Sequence, residues 1–184
     1  MSNNHLNEKI GNYLYQYLIR LADTSLTMGQ RLAEWCGHGP YLEEDVALTN
    51  VSLDSIGHAN LFYQLAADLK NDGQSENDIS VDDLAYLRDV HEFRNPILTE
   101  LPRGDFGYTM MKQYFIDVYH LLLYKELTQS TYQPLADVAK KALIEVQYHH
   151  ERSHEWLQRL SLSTDEAKEK YIELVEEITN QKIN

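Results

Sequence analysis

Apolar residues recur at three- and four-residue steps through most of the chain, and no stretch alternates with a period of two. That spacing commits the backbone to helices. In the first stretch, about Lys9 to Cys36, the residues Leu14, Leu18, Leu21, Ser25, Gly29 and Leu32 fall on one face. Gly37-His38-Gly39-Pro40 ends it, because glycine takes a left-handed cap and proline cannot continue a helix. A second helix opens on Glu43, Glu44 and Asp45, which suit the positive end of a helix dipole. Its stripe reads Ala47, Leu48, Val51, Ser55, His58, Leu61, Phe62 and Leu65, and Asn71-Asp72-Gly73-Gln74-Ser75 breaks it. A short helix from Val81 to Val90 follows, then an irregular stretch through Arg94-Asn95-Pro96 and Leu101-Pro102-Arg103-Gly104.

Asp105 is the expected N-cap of a third long helix to about Gln129, with Phe106, Met110, Gln113, Asp117, Leu121 and Tyr124 on its buried face. Pro134 starts a fourth, to about Leu160, carrying Val138, Leu143, Val146, His149 and Leu157. A last amphipathic stretch holds Tyr171, Leu174, Val175 and Ile178. Four helices of about 25 residues, each roughly 37 Å long, predict an all-α antiparallel four-helix bundle in a single domain. The long connection between the second and third helices serves as its crossover.

Charge narrows the partners. The chain has 184 residues, 16 Lys+Arg against 29 Asp+Glu, and a net charge of −13. Nucleic acids and anionic membranes call for clustered basic residues, so neither is expected as a partner. The single cysteine excludes an internal disulfide and any Cys-based metal site within one chain. No secretory signal or membrane-spanning run is visible, so a cytoplasmic protein is expected. Cys36 reads as a small packed residue, and His150 and His154, set among Glu151, Arg152 and Glu155, read as a solvated face.

The unusual feature is polar residues on apolar stripes: Glu34, Ser55, His58, Asp117 and His149. A di-iron bundle needs one carboxylate from each of two helices and Glu-x-x-His from each of the other two. Positions three apart share a helix face, so both side chains of that motif reach the metals. Glu34 and Asp117 could be the single carboxylates, and His58 and His149 the histidines. Where the glutamates belong stand Ser55 and Val146, and valine cannot bind a metal. Asp54 and Glu145, four residues before the histidines, are displaced around the helix. On the residues alone, a buried polar network is the main reading. A single metal held by Glu34, His58, Asp117 and His149 is the alternative.

Several runs carry a family resemblance: Gln30-Arg31-Leu32-Ala33-Glu34-Trp35-Cys36-Gly37-His38, Leu53-Asp54-Ser55-Ile56-Gly57-His58-Ala59, Arg94-Asn95-Pro96, Gln113-Tyr114-Phe115-Ile116-Asp117 and Glu145-Val146-Gln147-Tyr148-His149. From about Leu18 to Leu160 the chain resembles the structural (C) subunits of bacterial phenylacetyl-CoA epoxidases, which are ferritin-like. The resemblance implies a non-catalytic subunit, without a cofactor of its own, that pairs with and stabilises a related catalytic subunit. That partner would hold the di-iron site, and small subunits and a reductase would complete a hetero-oligomer. A homodimer stays open for the isolated chain. The resemblance places the vestigial di-iron positions on Glu34, Ser55, His58, Asp117, Val146 and His149, with no catalytic residue and no metal expected. Family chains continue for several dozen residues past this chain's last residue, so the family's C-terminal helices are expected to be missing.

Tyrosine is abundant, 13 against 4 Phe, and suits half-buried and interface positions. Tyr13, Tyr15 and Tyr17 alternate along the first helix and cannot all face one core, which makes them interface candidates. Arg94 and Arg103 are expected to pair with Asp89, Glu92 or Asp105, with contact to a partner or an anionic ligand as the alternative.

Overall fold

A computed structural model of the chain describes residues 2–71, 78–163 and 165–180, with side chains from residue 11 onward apart from those of 163, 166, 167, 170, 174, 177, 178 and 180. The long helices are α1 (Ser2–Ala33), α2 (Leu42–Lys70), α5 (Phe106–Leu127) and α6 (Gln133–Ser163). The crossover carries α3 (Val81–Tyr86), a 3-10 turn (Val90–Glu92) and α4 (Ile97–Glu100), and α7 (Asp165–Asn180) ends the described residues. Among these residues there is no strand. The all-α bundle expected from the periodicity is present.

Helix ends follow local chemistry. α1 stops at Ala33, three residues before the expected end, and Gly37 then takes a φ of +78°. The Asp105 carboxylate accepts from the Tyr108 N–H at 2.8 Å, which caps α5. Pro134 sits in the first turn of α6, where its missing N–H has no helical partner to lose. The helix expected over Val81–Val90 starts where expected, at a capping box of Ser80 and Asp83, but is shorter and closes at Tyr86. Beyond it Arg88 turns inward. The expected break at Asn71–Ser75 falls on residues 72–77, outside the described residues. Its flank is pinned, since the Asn71 side chain donates to the Ile79 carbonyl and accepts from the Ile79 N–H, both at 2.8 Å. In α7, Tyr171 and Val175 pack as expected, while the Leu174 and Ile178 side chains lie outside the described residues.

The interior divides into two apolar clusters. The first holds Leu18, Leu21, Phe62, Ala66, Tyr124, Leu135 and Val146. The second holds Met28, Leu32, Trp35, Leu48, Val51, Met110, Ile116 and Leu157. Each fully buried large side chain contributes about 1.5–3 kcal/mol relative to exposure. Chain direction follows from the two lists. α1 and α6 run from the first cluster to the second, and α2 and α5 run back. Consecutive α2 and α5 are therefore parallel, and only a crossover along the bundle's length can join them. α1 packs mainly on α2, and α5 on α6, while α2 and α6 close the two hairpins together. α1 comes very near α2 at Gly29, where an added Cβ would lie 2.8 Å from Ile56 Cγ1; the Ser52 hydroxyl donates to the Gly29 carbonyl at 2.7 Å.

Candidate functional site: a polar belt between two apolar clusters

Between the clusters, all four long helices turn polar side chains inward. Ser25 on α1, Ser55 and His58 on α2, Gln113, Asp117 and His120 on α5, and His149 on α6 line one small cavity with Val146. About 10 Å³ of it is open to a water-sized sphere, room for about one water. His58 is 3% exposed, Asp117 4% and His149 2%.

The two histidines are held by exchange. His58 Nε2 lies 2.6 Å from Glu145 Oε2, and His149 Nε2 lies 3.0 Å from Asp54 Oδ2. Each α2 group thus pairs with an α6 group and the reverse, with the two rings 6.4 Å apart between centroids. The displaced carboxylates at the i−4 positions serve the opposite helix rather than their own. Burial pushes both histidines below their ordinary pKa, although the facing carboxylates pull the other way.

On α5, burial raises the Asp117 pKa to about 7, against the Ser153 hydroxyl that donates to it at 2.7 Å and the charge of Arg152. His120 stacks on Tyr124, with centroids 4.9 Å apart, and burial lowers its pKa to about 3 with repulsion from His58 and His149 adding to the effect. The belt is not fully satisfied. Both amide atoms of Gln113, Nε2 of His120 and Nε of Arg152 are buried without a well-formed partner, although Gln113 lies close enough to Asp117 to favour its charged form. Unpaired buried groups cost about 1–3 kcal/mol each.

A pair of irons does not fit this donor set. Val146 offers no donor and is 1% exposed. The Ser55 hydroxyl donates to the Val51 carbonyl at 2.8 Å. α1 contributes Ser25, Met28 and Leu32 to the cavity and no carboxylate. Glu34, expected on the buried face, is a correction: it lies past the end of α1, exposed, with Oε1 2.6 Å from Arg31 Nη1. The single-metal set of Glu34, His58, Asp117 and His149 therefore does not converge. Among the described residues, no three His, Cys, Asp or Glu side chains are grouped to hold an ion.

A second buried polar centre escaped the sequence reading. Asp23, 0% exposed, accepts from Tyr63 Oη at 2.5 Å, from the Arg94 N–H at 2.8 Å and from the Arg88 guanidinium. Arg88 also lies over the Phe93 ring, 4.3 Å from its centroid. Burial, reinforced by Asp23, raises the Tyr63 pKa. This knot ties the crossover to α1 and α2. Its only sequence signal was Asp23 beside Ala22 on the apolar stretch of α1.

Other expectations change too. Leu121 packs half-buried against the first cluster, and His120, not expected on the inward face of α5, is more deeply buried and completes the run Gln113, Asp117, His120, Tyr124 at helical spacing. Arg152, expected in solvent, is 8% exposed and paired with Glu44. His150 and His154 stack on Tyr114 at 5.6 and 5.8 Å, on a partly exposed face as expected. Cys36 is exposed rather than packed, because the chain has already left α1. Arg103 donates to the Glu34 carbonyl at 2.8 Å and lies over Trp35, not against Asp105, Asp89 or Glu92. Arg94 bonds Asp23 through its backbone and forms no side-chain ion pair among the described residues. Tyr13 is 71% exposed, whereas Tyr15 and Tyr17 are half-buried against the first cluster.

Residues 1–180 match the family model described as phenylacetic acid catabolic protein. The (C) subunit of 1,2-phenylacetyl-CoA epoxidase from Escherichia coli (strain K12) is 43% identical over 159 residues, which cover 86% of this chain and 62% of that relative. The match thus spans less than two thirds of the relative's length. No helix among the described residues is long and apolar enough to cross a membrane. An all-helical bundle, a match over nearly the whole chain and this level of identity lead to one conclusion: the chain belongs to the phenylacetic acid catabolic protein family.

Proposed function

We propose that this chain is a non-catalytic structural subunit of a phenylacetyl-CoA epoxidase in aerobic phenylacetate degradation. It pairs with a related di-iron catalytic subunit and steadies the helices that hold the irons. In this reading iron belongs to the partner, and further small subunits and a reductase complete the hetero-oligomer. The observation that carries it is the belt. Val146 and the self-bonded Ser55 stand where bridging glutamates are needed, and His58 and His149 are engaged by carboxylates. A four-helix interior that keeps the layout of a metal centre and replaces its bridging donors suits support better than turnover. The single-metal alternative finds no observation in its favour, since Glu34 stands outside the belt.

The test is reconstitution. The purified chain mixed with the di-iron catalytic subunit is expected to co-elute with it and to raise its epoxidase turnover or its resistance to heat. The chain alone is expected to hold far less than one iron per molecule and to turn over nothing. Paired irons in the isolated chain, with oxygenation by it alone, would refute the reading.

A further inference from the structure

One groove on the α1/α5 side of the bundle holds cations that have no partner among the described residues. α1 and α5 approach each other only sparsely, and the residues before and within α4 enter the space between them. The resulting groove, about 460 Å³, is lined by Arg20, Arg94, Pro96, Phe115, Ile116 and Tyr119, among others. Arg31, Arg88, Arg103, Arg152 and Arg159 all have hydrogen-bond, ionic or ring partners. The guanidinium groups of Arg20 and Arg94 have no hydrogen-bond, ionic or ring partner among the described residues, and both line this groove. Carboxylates outnumber cations 29 to 16 in this chain, so two unanswered arginines in one place are not explained by a shortage of acids. Their surroundings are aromatic and apolar: Tyr119 is 44% exposed, and Ile116 forms the buried floor.

An exposed arginine beside aromatic rings is the composition of an interface hot spot, and guanidinium favours carboxylate in bidentate geometry. We infer that this groove is the docking site for an acidic, apolar-flanked segment of the catalytic partner, whose carboxylate is received by Arg20 and Arg94. The inference rests on the reading proposed above and deepens it by naming the surface used. Charge complementarity selects the occupant: an acidic segment entering elsewhere would meet the acidic remainder of a chain of charge −13. Such a site contributes specificity and association rate as well as affinity, and both fall with salt.

The test measures binding of the full chain to the di-iron catalytic subunit at low and moderate salt. The wild-type chain is compared with Arg20→Glu/Arg94→Glu and with a control, Lys140→Glu/Arg159→Glu, on the exposed face of α6. Both doubles change net charge equally. The groove variant is expected to weaken binding about tenfold or more and to flatten its salt dependence, while the control changes it little. Helical circular dichroism and melting identify any variant that fails to fold, and Arg20→Gln/Arg94→Gln, expected to weaken binding in the same direction, then replaces it. Unchanged binding by the groove variant, or equal weakening by the control, overturns the docking site and leaves the pairing intact. Loss of self-association in sedimentation with undiminished binding to the catalytic subunit also overturns it, assigning the groove to a second copy. Failure of the wild-type chain to bind at all overturns both readings.

Discussion

Asp23 and Asp117 are both buried carboxylates of the bundle interior, 0% and 4% exposed, and their surroundings are opposite in kind. Asp23 receives a guanidinium, a phenol and a backbone N–H. Asp117 receives one serine hydroxyl, and beside it lie an amide and an imidazole nitrogen with no well-formed partner. A buried charge that is paired and saturated with hydrogen bonds specifies one geometry, and removing any member exposes the rest to loss. A buried acid with too few donors shifts its pKa instead. The first centre is therefore structural and optimised. The second carries a cost that packing alone does not explain.

The largest effect that could break this contrast is Asp23→Ala. It strands Arg88, the Tyr63 hydroxyl and the Arg94 N–H, and is expected to cost about 3–5 kcal/mol in urea unfolding. A loss below about 1 kcal/mol would remove the distinction between the centres. Asp117→Asn is expected to do the reverse above pH 7, stabilising by about 1–3 kcal/mol, because the folded protein no longer has to bury a charge there.

Its pH dependence sharpens the same point. The folded Asp117 holds its proton up to about 7, while the unfolded chain releases it near 3.8, so this group's contribution declines as pH rises between those values. His120, His58 and His149 act oppositely. Their folded pKa values lie below the ordinary 6.5, so the stability they contribute is full above that pH and lost as pH falls below it. In the wild type the slopes partly cancel from about pH 4 to 6.5. Asp117→Asn is expected to uncover a steeper loss on acidification over that window, read by urea unfolding at several pH values. Gln113→Met, which removes at similar volume an amide that favours the charged form of Asp117, is expected to push the Asp117 pKa further up, read by NMR titration of its carboxyl. Glu34→Ala is expected to change stability by less than about 0.5 kcal/mol, since its ion pair is exposed. A larger loss would return Glu34 to the interior.

What could be read from the residues, and what could not, divides along the range of the interactions. The four long helices, the Asp105 cap and the stop at Gly37 depend on neighbours a few positions apart, and periodicity exposes them. Ser55, His58, Asp117, Val146 and His149 were legible as a belt because each stands on an apolar stripe. Glu34 was misplaced by the last turn of a helix: extending α1 from Ala33 to Cys36 puts it inside, and ending the helix at Ala33 puts it in water. The Asp23 knot was invisible because Arg88 and Arg94 lie 65 and 71 positions away, in a segment without regular spacing. The exchange between His58 and Glu145 was hidden for the same reason, since no rule on one helix shows that its carboxylate will serve another.

That exchange has a consequence for how the two hairpins can close. α2 and α6 run antiparallel, with position 58 opposite 145 and position 54 opposite 149. Sliding one helix by a single turn, about 5.4 Å, in one direction would set His58 opposite His149, with neither carboxylate in reach. Sliding it the other way would set Asp54 opposite Glu145, like charge against like, and would leave His58 facing Lys141 in place of its carboxylate. Apolar stripes tolerate a one-turn slip, because Leu, Val and Ala recur at every step along them. Two crossed pairs do not tolerate it. The seam between the hairpins thus has one axial alignment and two penalised neighbours, and four side chains are enough to choose among them.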